Sequence, residues 1–287
     1  MLKETYTLTN GVEIPKIGYG TWKIANDQAT EKVLEAIEAG YRHIDTAQAY
    51  GNEAGVGAAI KKTTVPREEL FLTTKLAAEI KDYDGAVKAI DDSLKKLGVD
   101  VIDLMIIHSP KPWAEFHGEE HYFEGNLAAW RALEEAYQAG KLRAIGVSNF
   151  EIVDLESLLK HSKTKPAVNQ VLAHIGQTPF DVIEFSQKQE ILVEAYSPIA
   201  HGAMLKSKTI TALADKYKVS IPQLAIRYCL QLGLLPLPKT ENPAHMKNNA
   251  EVDFEISNED MEKLARVTSD FDYGKNNDMP VFRRVLG

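Results

Sequence analysis

The sequence predicts an α/β protein of the (β/α)8 TIM-barrel class, with an N-terminal β-hairpin and an extra C-terminal helix and tail. Short β-rich apolar runs alternate with amphipathic stretches along the chain, the pattern of a parallel sheet built from βα units. Eight such runs can be counted. No Gly/Ser/Pro-rich linker or composition break divides the chain, so residues 1–287 read as one domain, a length that barrels commonly use.

Taken in order, Thr5 to Val12 reads as a small hairpin, with Asn10-Gly11 supplying the positive φ values of a tight turn, placed to plug the bottom of the barrel. Strands are expected near Ile17 to Gly20, His43 to Ala47, Leu70 to Lys75, Val101 to His108, Arg143 to Ser148, Ala167 to Val171, Leu192 to Ser197 and Leu234 to Lys239. Between them the apolar period is helical, as in Val87, Ile90, Leu94 and Leu97, or Leu127, Trp130, Leu133 and Tyr137. Gly98 and Gly140 stand where a left-handed residue closes a last turn. Ser257 followed by Asp260 looks like a capping box opening a helix through Met261, Leu264 and Val267, outside the eight units. The longest irregular stretches, Pro110 to Gly125 and Asp270 to Gly287, are the candidates for shaping a substrate pocket.

Composition narrows the function classes. Apolar residues at 44% and charged residues at 26% describe an ordinary globular chain. A net charge of −8, with no basic cluster denser than Lys61-Lys62 or Arg283-Arg284, argues against nucleic acid. Cys229 is the single cysteine, so no internal disulfide can form, and the N-terminus shows no recognisable secretory signal. A cytoplasmic protein is the expectation. The most apolar stretch, Leu224 to Leu237, is broken by Arg227, Gln231, Gly233 and Pro236, short of the roughly 20 apolar residues a spanning helix needs.

In a barrel of this kind the loops after the strands converge on one face, so the strand ends are where chemistry is sought. "HIDTAQAYGNE" puts Asp45 and Tyr50 after strand two, "LFLTTK" ends strand three on Lys75, and "DLMIIHSP" ends strand four on His108. Singly, these read as a helix cap, a surface aromatic, a solvated charge and a near-core histidine. Together they place ionisable groups on one rim, behind apolar strands, where polar side chains must find partners or serve a site.

The chain resembles the aldo-keto reductase superfamily along nearly its whole length, and bacterial diketogluconate and glyoxal-type reductases in particular. "GYGTW" (Gly18 to Trp22), "HIDTAQAYGNE" (His43 to Glu53), "LTTK" (Leu72 to Lys75), "IGVSNF" (Ile145 to Phe150), "VNQ" (Val168 to Gln170) and "AYSP" (Ala195 to Pro198) occur in the family's order. The resemblance implies reduction of small aldehydes and ketones by hydride from a nicotinamide dinucleotide. It makes Tyr50 the acid that protonates the carbonyl oxygen, with Lys75 lowering the phenol's pKa from about 10, Asp45 holding the ammonium and His108 orienting the carbonyl.

Hydride needs a carrier, yet the Rossmann fingerprint is absent: Gly18 and Gly20 lack a third glycine, and Gly51, Gly55 and Gly57 are wrongly spaced. By resemblance, Ser148, Asn149 and Gln170 hold the nicotinamide amide, Tyr196 stacks on the ring with Ser197 beside it, and Asn248 and Asn249 contact adenine. The phosphate-reading run is Pro238-Lys239-Thr240-Glu241, with His245 standing where the family has an Arg. A bidentate phosphate partner is thereby lost, and Glu241 repels phosphate but can accept from a ribose hydroxyl. NADPH comes first and NADH second. Trp22 matches the family's pocket Trp, and Trp113 stands in the loop where another pocket aromatic is usual. The resemblance implies a monomer acting on a small-molecule carbonyl, and no heptad or obvious interface helix argues otherwise.

Two rival readings are open to test. "HGEEH" (His117 to His121) has the spacing of an inverted zinc-protease motif, but Gly118 sits inside the would-be turn, so no metal is expected. The other is a cofactor-binding regulatory subunit with little turnover, against which the absence of extensions counts.

Overall fold

The structure is a computed structural model that describes residues 1–268 and 271–282. Asp270 and the segment 283–287, which carries Arg283-Arg284 and the end of the tail, lie outside the described residues. A hairpin, β1 (Thr5–Thr7) and β2 (Glu13–Pro15), precedes eight parallel strands. These are β3 (Gly18–Gly20), β4 (His43–Asp45), β5 (Phe71–Leu76), β6 (Ile102–Ile107), β7 (Leu142–Ser148), β8 (Val168–Leu172), β9 (Leu192–Tyr196) and β10 (Leu235–Leu237). They pair in chain order, and the Gly20 amide donates to Pro238 O at 3.1 Å across the gap between the first and last of them. Every strand falls where the apolar runs predict.

Helices alternate with the strands: α1 (Asn26–Glu38), α2 (Glu53–Lys62), α3 (Tyr83–Leu97), α4 (Phe123–Gln138), α5 (Ile152–His161), α6 (Phe180–Lys188), α7 (Lys208–Tyr217), α8 (Ile221–Gln231), α9 (Pro243–Ala250) and α10 (Asn258–Ala265). Both α7 and α10 stand outside the βα alternation, whereas the sequence reading singles out only the second. Gly55 and Gly57 serve packing, not phosphate: a Cβ would lie 2.3 Å from Asn26 O at Gly55 and 2.2 Å from Leu97 O at Gly57. None of the helices among the described residues is long and apolar enough to cross a membrane.

Three local expectations are corrected. The hairpin turn closes through Leu8 and Val12 around three residues, and only Gly11 has positive φ; Asn10 instead uses its side chain, accepting from the Val12 amide and donating to Arg143 O. Ser257 caps α10 by accepting from the Asp260 amide, but the Asp260 carboxylate turns to Lys216 and Tyr217, so the box is half made. Gly125 belongs to α4, where a Cβ would sit 2.8 Å from Lys81 O; the loop ends at Tyr122.

The barrel's interior is apolar at one end. Leu104, Ile106, Ala144, Val168, Leu235 and Leu237 pack there with Leu8 and Ile14 of the hairpin, which closes the bottom as expected. Towards the other end the inward positions become polar. Register sets Gln170 opposite both Ser148 and Glu194.

Candidate active site

The loop after β4 is built to present one phenol. Gln48 anchors it: its Nε2 donates to Ala89 O and Ser93 Oγ, and its Oε1 accepts from the Ala77 amide. A short 3-10 turn, Gln48–Tyr50, follows and is closed by Gly51 at φ 68. Buried Asn52 donates to Thr21 O and Ile24 O, tying this loop to the one after β3. Tyr50 is left half-buried, with its hydroxyl directed at Lys75.

Lys75 has no exposed surface. Its Nζ donates to Asp45 Oδ1 at 2.5 Å, Thr46 O at 2.9 Å and Tyr50 Oη at 3.2 Å, and so uses all three of its protons. Burial works against the ammonium, but the charge of Asp45, then that of Tyr50, outweighs it and holds the Lys75 pKa above the usual lysine value. For Tyr50, burial is the largest influence and raises the phenol, with Lys75 pulling it down and Asp45 pushing it up. The expected lowering by Lys75 is therefore present as a contribution and outweighed as a sum; the phenol keeps its proton through the neutral range.

The His108 ring meets Tyr50 edge-on, with centroids 5.7 Å apart, and Trp113 at 5.0 Å. Burial, then the charges of Lys75 and Lys81, hold its pKa well below the ordinary histidine value, so the imidazole is neutral. Its Nδ1 is buried without a partner among the described residues.

A cleft of about 440 Å³ opens over these groups. Trp22, Asp45, Tyr50, His108, Trp113, Ser148, Asn149, Gln170, Tyr196, Ser197 and Lys239 all line it, so most of the sequence-predicted residues converge. Ser148 Oγ and the Asn149 amide both donate to Gln170 O, at 2.7 and 2.9 Å. Asn149, at φ 59, takes a left-handed conformation that Asn tolerates, and Tyr196 Oη donates to its Oδ1 at 2.7 Å. Gln170 spends both amide protons inward, on Asp45 Oδ2 at 3.0 Å and Glu194 Oε2 at 2.7 Å. Ser148, Asn149, Gln170 and Tyr196 are thus joined in one polar network along this wall.

At the rim of the cleft Lys239 pairs with Glu241. Glu241, Thr240, Asn248, Asn249 and the exposed His245 lie off it. Thr240 Oγ1 accepts from the Asn242 amide at 3.2 Å. Asn248 Oδ1 accepts from Ser220 Oγ at 2.9 Å, and Asn249 is buried. The zinc spacing dissolves: His117 Nε2 donates to Pro280 O at 2.8 Å, while His121 Nδ1 faces Asp154 Oδ1 at 3.3 Å. No group of three metal-ligating side chains is found among the described residues.

Sequence reasoning offered the tail as a pocket wall without naming Phe282, and it missed His201 and Glu194. His201 and Phe282 pack against Trp22, with centroids 5.4 and 6.0 Å away, and Phe282 with Met279 brings the described part of the tail into the cleft wall. Neither carries a motif. Glu194 did carry a signal, a carboxylate at an inward position of β9 between Leu192 and Tyr196.

The Aldo/keto reductase family profile matches residues 16–268. The chain is 42% identical to the glyoxal reductase of Bacillus subtilis over 283 residues, covering 98% of this chain and 99% of that one. Among solved structures, an aldo-keto reductase of Bombyx mori in complex with NADP superposes with a TM-score of 0.86 at 33% identity, over 99% of this chain and 100% of that one. The aldo/keto reductase of Brucella melitensis gives 0.83 at 39% identity, over 91% and 98%. The chain belongs to the aldo/keto reductase family, and is an oxidoreductase that acts on carbonyl groups with a nicotinamide cofactor.

Proposed function

We propose that the protein, working as one barrel domain, reduces small aldehydes and ketones, keto sugars among them, to alcohols, and that Tyr50 donates the proton. The observation that carries this is the buried ammonium of Lys75, held between Asp45 Oδ1 and Tyr50 Oη directly below the cleft. As the carbonyl carbon accepts hydride, negative charge grows on its oxygen. Tyr50 meets that oxygen with a proton, and Lys75 stabilises the phenolate left behind. Neutral His108 can donate to the same oxygen and fix its direction without adding a charge of its own. Trp22 and Trp113 edge the space left for the substrate, and a relative named glyoxal reductase favours a small, polar carbonyl.

The reduced nicotinamide dinucleotide supplies the hydride when bound. Ser148, Asn149 and Gln170 would hold its carboxamide, Tyr196 would lie against the ring with Ser197 beside it, and Lys239 with Thr240 would face the 2′ end, with Asn248 and Asn249 near adenine.

Loss of reduced-nicotinamide absorbance with a panel of small aldehydes, ketones and keto sugars tests the reading, run beside Tyr50→Phe. The variant is expected to bind cofactor normally and lose roughly 10²–10⁴-fold in turnover, the range general acids contribute. Cofactor binding without turnover in the unaltered protein, or full turnover in Tyr50→Phe, would overturn it.

A further inference from the structure

Glu194 is a buried polar group of the barrel, beside the cleft, for which the proposed chemistry has no use. It has no exposed surface, Oε2 accepts from Gln170 Nε2 at 2.7 Å, and Oε1 has no partner among the described residues. The neighbouring cation, Lys75, spends its protons on Asp45, Thr46 and Tyr50. A carboxyl group buried without its own cation is costly, and a barrel strand accommodates an apolar residue at that place more cheaply. Its geometry points to what it does. Gln170 lies opposite Glu194 in the β8–β9 register, lines the cleft, and through its main-chain oxygen holds both Ser148 and Asn149. A primary amide has two protons and one oxygen in a fixed plane. With one proton on Asp45 Oδ2 and the other on Glu194 Oε2, the plane is set and the remaining polar atom, Oε1, is the one left for the cleft.

We propose that Glu194 is a positioning residue: it fixes the rotation of the Gln170 amide so that Oε1 is presented as an acceptor to the carboxamide of the nicotinamide. Asp45 alone holds it less firmly, because a single hydrogen bond tolerates a swing of the amide plane that two bonds from the same nitrogen in different directions do not. Burial, then the charge of Asp45, pushes the Glu194 pKa up to about 8, so near neutrality it is mostly the uncharged acid, which glutamine copies in shape and in its acceptor oxygen.

The inference rests on the reading that the cleft holds nicotinamide, so the test separates the two. Titration calorimetry with NADPH, NADH and the fragment 2′,5′-ADP is combined with turnover and the primary deuterium isotope effect from 4-deuterated cofactor. Thermal melts show that each variant is folded. Glu194→Gln should match the parent in cofactor affinity and stay within about threefold in turnover, because the acceptor oxygen is kept. Glu194→Leu should bind 2′,5′-ADP as before, bind the full dinucleotide about tenfold more weakly, and lose turnover with a larger isotope effect, as a mispositioned ring slows hydride transfer. Parent-like affinity and isotope effect in a folded Glu194→Leu, or a folded Glu194→Gln as defective as Glu194→Leu, would overturn the positioning role. Failure of the parent itself to bind either dinucleotide would instead remove the functional reading beneath it.

Discussion

At the Lys75 end of the cleft, charged groups are buried and held by several partners each, whereas at the Lys239 end they are exposed and held by one. Asp45 has both oxygens engaged, by Lys75 and Gln170, and Lys75 has no exposed surface. Lys239 and Glu241 keep 32% and 42% of their side-chain surface in water and have each other. A buried network fixes geometry because breaking any bond strands a polar atom. A surface pair contributes little and can be exchanged. On the function proposed above, reaction type would be written into the barrel, and cofactor preference into its rim.

The contrast is sharpest if Lys75→Met is compared with changes at the rim. Removing the ammonium strands the Asp45 carboxylate, so turnover should fall by more than about 100-fold and stability by about 3–5 kcal/mol, read by chemical denaturation. A folded, active Lys75→Met would break the comparison. Glu194 tests the same end by pH. Its carboxyl keeps its proton to about 8 in the folded chain but loses it near 4.5 when unfolded. The folded state therefore binds more protons across that window, and stability must fall as pH rises through it. Relative to Glu194→Gln, the protein should lose on the order of a few kcal/mol between pH 5 and 8.5; parallel pH slopes for the two would contradict a buried, uncompensated acid. The smallest effect belongs to the rim. Glu241→Ser with His245→Arg should free Lys239, restore a bidentate phosphate partner and shift the NADPH-to-NADH affinity ratio about tenfold towards NADPH, or roughly 1.4 kcal/mol, with melting temperature unchanged. An unchanged ratio would mean that the 2′ position is read elsewhere.

How much of this was legible follows from the same contrast. All eight strands and the convergence of Asp45, Tyr50, Lys75 and His108 could be read, because alternation and strand ends are local properties of the chain. The sign of the Tyr50 shift could not, since it depends on how deeply the loop settles, a tertiary quantity. His201 and Phe282 reach Trp22 from positions far along the sequence, with no spacing rule to announce them. Gly125 looked like loop but lies in α4, where the close approach of Lys81 excludes a side chain, a contact that no local pattern reveals. Glu194 was visible in principle: an acid at an inward strand position asks for a partner, and Gln170 is that partner.

The hairpin that closes the barrel's bottom has a consequence in time. Tyr6 Oη donates to Leu234 O, 228 positions later, and Leu8 and Ile14 pack on Leu235 and Leu237 of the last strand. A ribosome adding roughly 5–20 residues per second takes about 10–45 s to cover that distance. A lone two-stranded ribbon is barely stable in water, so the hairpin waits with its apolar side incompletely covered until β10 arrives. The barrel is stoppered from below by a hairpin that is made before any of its eight strands, and cannot be sealed until the last of them has been made.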